Sequence, residues 1–298
     1  MSIALLALDG GQSGMRTLLD GPDGNRPGPE FTGIRSDQPL LTQLRDIVLA
    51  TLDGRRADVL AMGLSGLGAS DSARLMKDLL GDAVGTVLLA HDSTTSYLGA
   101  LGPREGVVVA SGTGAVTLAV GPDTVRRVDG WGHLLGDAGS GFWIGREALS
   151  AVLRALDGRG VPTALTEHAE AEFGDLSQLY LQLQADPARV SRIASWARRV
   201  SELARTDEVC AQISRSAGRQ LAESAATGLT SVSAENVAST VGNVFLNDLV
   251  SSSFVEHLTE LIPDVQVLSA AGTGLDGAAT LVRVTSGSAL GALVDRAQ

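Results

Sequence analysis

Lysine is almost missing from this chain: Lys77 stands alone among 23 basic residues, the others being arginine. A Walker phosphate loop needs lysine directly after its glycine, and a protein kinase needs a strand lysine on the phosphates. Lys77 lies in the helix-like segment Ser72–Leu80 and serves neither. Cysteine is as scarce. Cys210 alone excludes an intramolecular disulfide and any cluster held by several cysteines of one chain. Aromatic residues make up only 3%, so the core must be aliphatic. Basic runs are missing too. Against 34 acidic residues the net charge is −11, and no basic face for nucleic acid is expected. The first residues, Met1–Leu8, carry no basic region, and only a short apolar run precedes Asp9; no signal peptide or membrane span is expected, and a reducing cytoplasm is the default.

What is present is enough for a folded protein. Hydrophobic residues are 44% and charged residues 19% of 298, and a chain of this length suits two lobes of about 100–200 residues each. Apolar strand-like runs alternate with helical spacing throughout, which predicts an α/β class with largely parallel sheets. Strands are expected at Asp58–Leu64, Gly85–Ala90, Gly106–Ala110, Asn236–Val241 and Asp264–Leu268. Helices are expected at Leu40–Leu52, Asp71–Leu80, Thr95–Leu101, Arg146–Leu156, much of residues 164–229 and Asn247–Leu261, with a last short one at Ser288–Asp295. Asp20–Pro29 and Gly272–Gly277 read as loop and turn.

One pattern occurs twice. Ile3–Leu8, a turn at Asp9-Gly10-Gly11-Gln12-Ser13-Gly14 and Met15–Leu19 form strand, glycine turn and strand. Gly106–Ala110, Ser111-Gly112-Thr113-Gly114 and Ala115–Val120 repeat it, and the exits Gly21-Pro22-Asp23 and Gly121-Pro122-Asp123 stand 100 residues apart. Two lobes opening with the same hairpin are therefore expected. Their glycine tips, free of bulky side chains, would let phosphate oxygens reach backbone N–H groups. The bland alternative is that glycine only makes a tight turn. Asp9 is placed to hold Mg²⁺ through water, or merely to cap its turn. Asp92 follows a buried strand, where a carboxylate can take the proton of an attacking hydroxyl, or can cap the next helix. Trp131 and Asp137, among closely spaced glycines, suit a sugar's apolar face and hydroxyl rim; otherwise Trp131 fills core. His91 reads as structural, and His133, His168 and His257 have no ligand spacing.

Taken together, Asp9-Gly10-Gly11, Ser65-Gly66, His91-Asp92, Ser111–Gly114 and the block Gly130-Trp131-Gly132 through Gly136-Asp137-Ala138-Gly139-Ser140-Gly141 to Gly145 resemble the N-acetylglucosamine kinases of the BadF/BadG/BcrA/BcrD-type ATPase group, in the actin-like sugar-kinase superfamily. The resemblance implies two duplicated ribonuclease-H-like (actin-like ATPase) lobes around a central cleft. An N-terminal lobe is expected at 1–103, with the last helix, about 286–298, packed back on it. A C-terminal lobe is expected at 104–298, with a helical insertion at about 160–230. ATP would be held by Gly10, Gly11, Gln12 and Ser13, by Gly112, Thr113 and Gly114, and by the adenosine motif Gly242-Asn243. Asp9 would stand near Mg²⁺ and Asp92 would be the catalytic base for the sugar 6-hydroxyl. Ser65, Gly66, Thr113, Trp131, Gly132 and Asp137 would face the sugar. The resemblance also implies a homodimer.

The sequence departs from the family pattern in several motifs, and the departures on the sugar side bear on the substrate. Gln12-Ser13-Gly14 replaces Gly-Thr-Lys, Ala115-Val116 replaces Ser-Asn, Ala138 replaces a glutamate and Asn243 a glycine. The missing Asn is a sugar contact in the family, so glucosamine rivals N-acetylglucosamine as substrate, and Arg35, Ser36 and Asp37 supply the upstream loop. The expected function is ATP-dependent phosphorylation of an amino sugar or related hexose. A non-catalytic sugar or nucleotide sensor is the alternative, and an activator ATPase of radical dehydratases is disfavoured by the single cysteine. The absence of a DNA-binding segment before residue 1 argues against a repressor.

Overall fold

The computed structural model describes residues 3–11, 14–21, 24–35, 38–68 and 70–298. Gln12, Ser13, Ser36 and Asp37, singled out above, lie outside these described residues. The chain divides into two compact units. The first is Met1–Val108, Val120–Val125 and Ser269–Gln298; the second is Val109–Ala119 and Arg126–Leu268.

The first unit carries a six-stranded sheet. Its strands are β1 (Ile3–Gly11), β2 (Gly14–Gly21), β3 (Gly24–Phe31), β4 (Ala57–Leu64), β5 (Val84–His91) and β11 (Asp295–Ala297), in the order β11-β5-β4-β1-β2-β3. β1, β4 and β5 run parallel, and β1 turns back antiparallel into β2. The near-continuous apolar runs of β4 and β5 fit strands covered on both faces. The first unit's helices among the described residues are α1 (Leu40–Leu52), α2 (Ala73–Leu80), α3 (Asp92–Leu101) and α10 (Gly274–Thr280). Leu6, Leu8, Leu60 and Met62 form a core with Leu44 of α1 and Met76 of α2. α3 and α10 touch backbone to backbone. A Cβ on Gly277 would collide with the Thr95 carbonyl, and one on Gly99 with that of Thr273, so only glycine fits this crossing.

A five-stranded sheet, most of it in the second unit, is formed by β6 (Gly106–Ser111), β7 (Ala115–Val120), β8 (Val125–Val128), β9 (Val237–Val241) and β10 (Gln266–Leu268), in the order β10-β9-β6-β7-β8. The second unit's helices are α4 (Gly141–Leu156), α5 (Leu165–Phe173), α6 (Leu179–Ala185), α7 (Arg189–Leu203), α8 (Glu208–Val232) and α9 (Asp248–Leu261). The order repeats that of the first sheet, β5-β4-β1-β2-β3. The duplication expected from two hairpins thus extends to the whole strand order, and the expected α/β fold of two similar lobes is the one formed.

Three local expectations are corrected. Residues 24–31 form strand β3, not loop. This strand lies at the sheet edge, where the missing N–H groups of Pro27 and Pro29 break no inner ladder. The glycine-rich stretch after Gly272 is not only a turn. Thr273 caps α10 reciprocally with Asp276, which offsets the poor helix propensity of Gly274 and Gly277. The expected last helix at about 286–298 is absent. A single 3-10 turn at Leu290–Leu293 leads into β11, which pairs antiparallel with β5.

Candidate active site

The parallel strands of the first unit bring three sequence-predicted positions to one end of the sheet. In register, Asp9 stands beside Gly63 and Gly63 beside Ala90; Gly10 stands beside Leu64 and Leu64 beside His91. Asp9, Ser65 and Asp92 therefore lie at the carboxyl ends of three neighbouring strands, where open α/β sheets place their chemistry. The Ser65 amide donates to the Gly10 carbonyl at 3.0 Å, tying the β4 exit to the first glycine turn. Gly66 follows with φ +75°, a left-handed conformation that favours glycine.

Asp9 is held by Arg16, whose guanidinium donates to the carboxylate at 2.7 Å. Burial pushes the Asp9 carboxyl above its ordinary range; Arg16 opposes the shift and the nearby negative Asp92 adds to it. A Cβ at Gly274 would stand 2.9 Å from Asp9 Oδ1, so a side chain there would require the Asp9 carboxylate to shift. Asp92 is the first residue of α3, but the cap is His91, whose Nδ1 faces the Ser93 amide at 3.2 Å. Asp92 is thus free of the capping duty that was its alternative role.

In the second unit the turn after β6 is clasped from two sides. The Gly141 amide donates to the Gly112 carbonyl at 2.7 Å, and the Phe142 amide to the Thr113 carbonyl at 3.0 Å. Gly242, with φ +103°, lies so close to the Ser111 backbone that a side chain there would overlap its carbonyl. Gly112, Thr113 and Asn243 line one cavity of about 800 Å³, and Ser191, Ser195 and Arg198 of α7 form part of its wall. Sequence reading did not find that wall. The polar stripe at these spacings looks like any exposed helix face.

The glycine-dense loop is organised by two carboxylates. Asp129 accepts from the amides of Asp137 and Ala138, both at 2.9 Å. Asp137, 8% exposed, accepts from the Gly132 amide at 3.0 Å and abuts Gly114. Burial raises the Asp137 carboxyl above its usual range; Asp129 adds to the rise, while the Gly132 amide, His133 and Arg127 oppose it. Trp131 is 72% exposed, with the Arg127 guanidinium 5.8 Å from its ring centre, so it does not fill core. It borders a smaller hollow of about 320 Å³ against Gln220 and Glu223 of α8. Asp129 also escaped sequence reading. Arg16 did carry a signal: the strand, glycine turn and strand of the opening pattern set it opposite Asp9 in the β1–β2 register.

Cys210 is buried, and its thiol is pushed up to about 12 by burial, with Asp207 adding. It is a packing residue rather than a cluster ligand. Among the described residues no helix is long and apolar enough to cross a membrane.

Two units with one strand order, glycine turns after their first strands and carboxylates at the strand ends define an actin-like ATPase architecture. The chain belongs to the BadF/BadG/BcrA/BcrD ATPase family, which it matches over residues 32–281. It is 28% identical over 235 residues to the N-acetylmuramic acid/N-acetylglucosamine kinase of Clostridium acetobutylicum, covering 75% of this chain and 76% of that one. A solved structure from Chromobacterium violaceum, provisionally named an N-acetylglucosamine kinase, superposes with a TM-score of 0.70 at 26% identity, over 93% of this chain and 97% of that one. A glucokinase of the ROK family from Streptomyces griseus, solved with glucose and AMPPNP, shares the fold at a TM-score of 0.56 and 18% identity, over 94% of this chain and 99% of that one.

Proposed function

We propose that this protein is an ATP-dependent carbohydrate kinase that phosphorylates the 6-hydroxyl of an amino sugar, N-acetylglucosamine or glucosamine. The observation that carries the reading is the Asp92 carboxylate. It stands at a strand end beside Asp9, is partly open to solvent and is not used as a helix cap. Kinase homologues and the ATPase family support the same chemistry.

In this reading the sugar hydroxyl attacks the γ-phosphorus. Its proton passes to Asp92 as the new P–O bond forms and the bond to ADP breaks. Backbone amides of the Gly10–Gly11 and Gly112–Gly114 turns, together with Gln12 and Ser13, hold the phosphates. Asn243, Gly242 and the α7 face hold the nucleoside. Ser65, Gly66, Thr113, Trp131, Gly132 and Asp137 take the sugar. Asp137 suits a hydroxyl, since a buried carboxylate with one donor still has lone pairs to satisfy.

Asp9 fits Mg²⁺ bound through water. Its oxygens are hard donors, burial holds its carboxyl above the usual range, with the negative Asp92 adding to the rise, and its guanidinium partner Arg16 is half-exposed. Bound there with ATP, the ion would neutralise charge on the phosphates.

The test is ADP release measured with glucosamine, N-acetylglucosamine, glucose and mannosamine. The reading predicts turnover dependent on sugar and Mg²⁺, highest for one of the first two. Turnover with no sugar dependence would contradict it.

A further inference from the structure

Three polar atoms crowd one nitrogen beside the proposed base. His91 Nδ1 lies 2.7 Å from Asp92 Oδ1, 2.9 Å from Ser93 Oγ and 3.2 Å from the Ser93 amide nitrogen. A ring nitrogen carries either a lone pair or a proton. With a lone pair it caps the Ser93 amide but offers Asp92 nothing. Asp92 Oδ1 is buried and has no other hydrogen-bond partner. Leaving a buried carboxylate oxygen without a donor costs more than leaving a helix-terminal amide unpaired, and every helix start has spare amides. The tautomer with Nδ1–H is the one that satisfies Oδ1.

We propose that His91 is a positioning residue for the base: its Nδ1–H holds Asp92 Oδ1, leaving Oδ2 as the oxygen that takes the sugar proton. The Asp92 side chain is 36% exposed although Oδ1 is buried, so the open oxygen is Oδ2. His91 keeps its own proton throughout; only the hydroxyl proton moves, to Oδ2. The proposal rests on Asp92 being the base.

Three variants separate this role from simple capping. His91→Ala offers neither a donor to Asp92 nor a cap acceptor. His91→Ser keeps a cap acceptor but ends one bond from Cβ. His91→Asn places an acceptor and an N–H donor two bonds from Cβ, as far out as Nδ1, and so serves both. Positioning predicts that His91→Ala and His91→Ser lose kcat about tenfold with KM for both substrates unchanged, while His91→Asn stays within about threefold of the parent. Full kcat in His91→Ser, or a loss in His91→Asn as large as in His91→Ala, would overturn the proposal. Because the Ser and Asn variants both offer the Ser93 amide a cap acceptor, poor folding of His91→Ala leaves the comparison intact. Asp92→Asn is assayed in parallel. If it turns over normally, the reading of Asp92 as base fails; if it is dead while His91→Ser is normal, only the role of His91 fails.

Discussion

Asp137 carries a charge that burial disfavours. It is nearly buried, receives one backbone amide and faces Asp129. A carboxyl whose folded-state pKa is raised contributes stability below its unfolded value, about 4, and loses it as pH rises through the folded value. At neutral pH the ionised group therefore costs the folded state. Asp137→Asn keeps the acceptor for the Gly132 amide and removes the charge, and Asn tolerates the left-handed φ of +56°. Thermal melts should show the variant about 2 °C more stable than the parent at pH 7.5, with the gain vanishing near pH 3.5. Its KM for sugar should rise. An equal shift at both pH values would refute the electrostatic origin.

Among the elements, the crossing of α3 and α10 governs the placement of Asp92. α3 starts at the proposed base, and α10 passes it with no room for a side chain at Gly99 or Gly277. Gly277→Ala should destabilise the protein by about 3 kcal/mol, read by urea unfolding, since the methyl meets the Thr95 carbonyl rather than a flexible side-chain tip. A loss below about 1 kcal/mol would mean that the helices part without strain. These elements also show what a sequence exposes. α3 and the parallel strands were legible because their periodicity is strong and their ends are marked by Gly, Ser and Asp. β3 was not, because Pro27 and Pro29 argue against a strand until its edge position is known. α10 was hidden by its glycines, whose reason is a neighbour almost two hundred positions away in the chain. The proposed base, the glycine turns and the sugar loop were readable as strand-turn patterns and by resemblance. Asp129 was not, since its grip on Asp137 and Ala138 depends on a loop with two non-glycine residues at positive φ, Asp129 and Asp137.

At the scale of the whole molecule, the first unit is discontinuous. The chain leaves it, builds the second unit and returns through Ser269–Gln298. The return is not a loose end: β11 extends the sheet beside β5, and Asp295 accepts from the Ala73 amide at 2.7 Å at the start of α2. Removing residues 290–298 should lower the unfolding midpoint by about 5 °C or more, as an edge strand and a helix cap are lost together. An unchanged melt would show that the tail is dispensable. The repeated strand order gives each unit its own glycine turn. The functional reading then depends on one group in the first.

The most direct test is Asp92→Asn, assayed for sugar-dependent ADP release alongside calorimetric titration with ATP. The account predicts turnover reduced by about 10³-fold with ATP affinity little changed, as removal of a general base allows. Turnover within tenfold of the parent, with the protein folded and ATP bound, would contradict it.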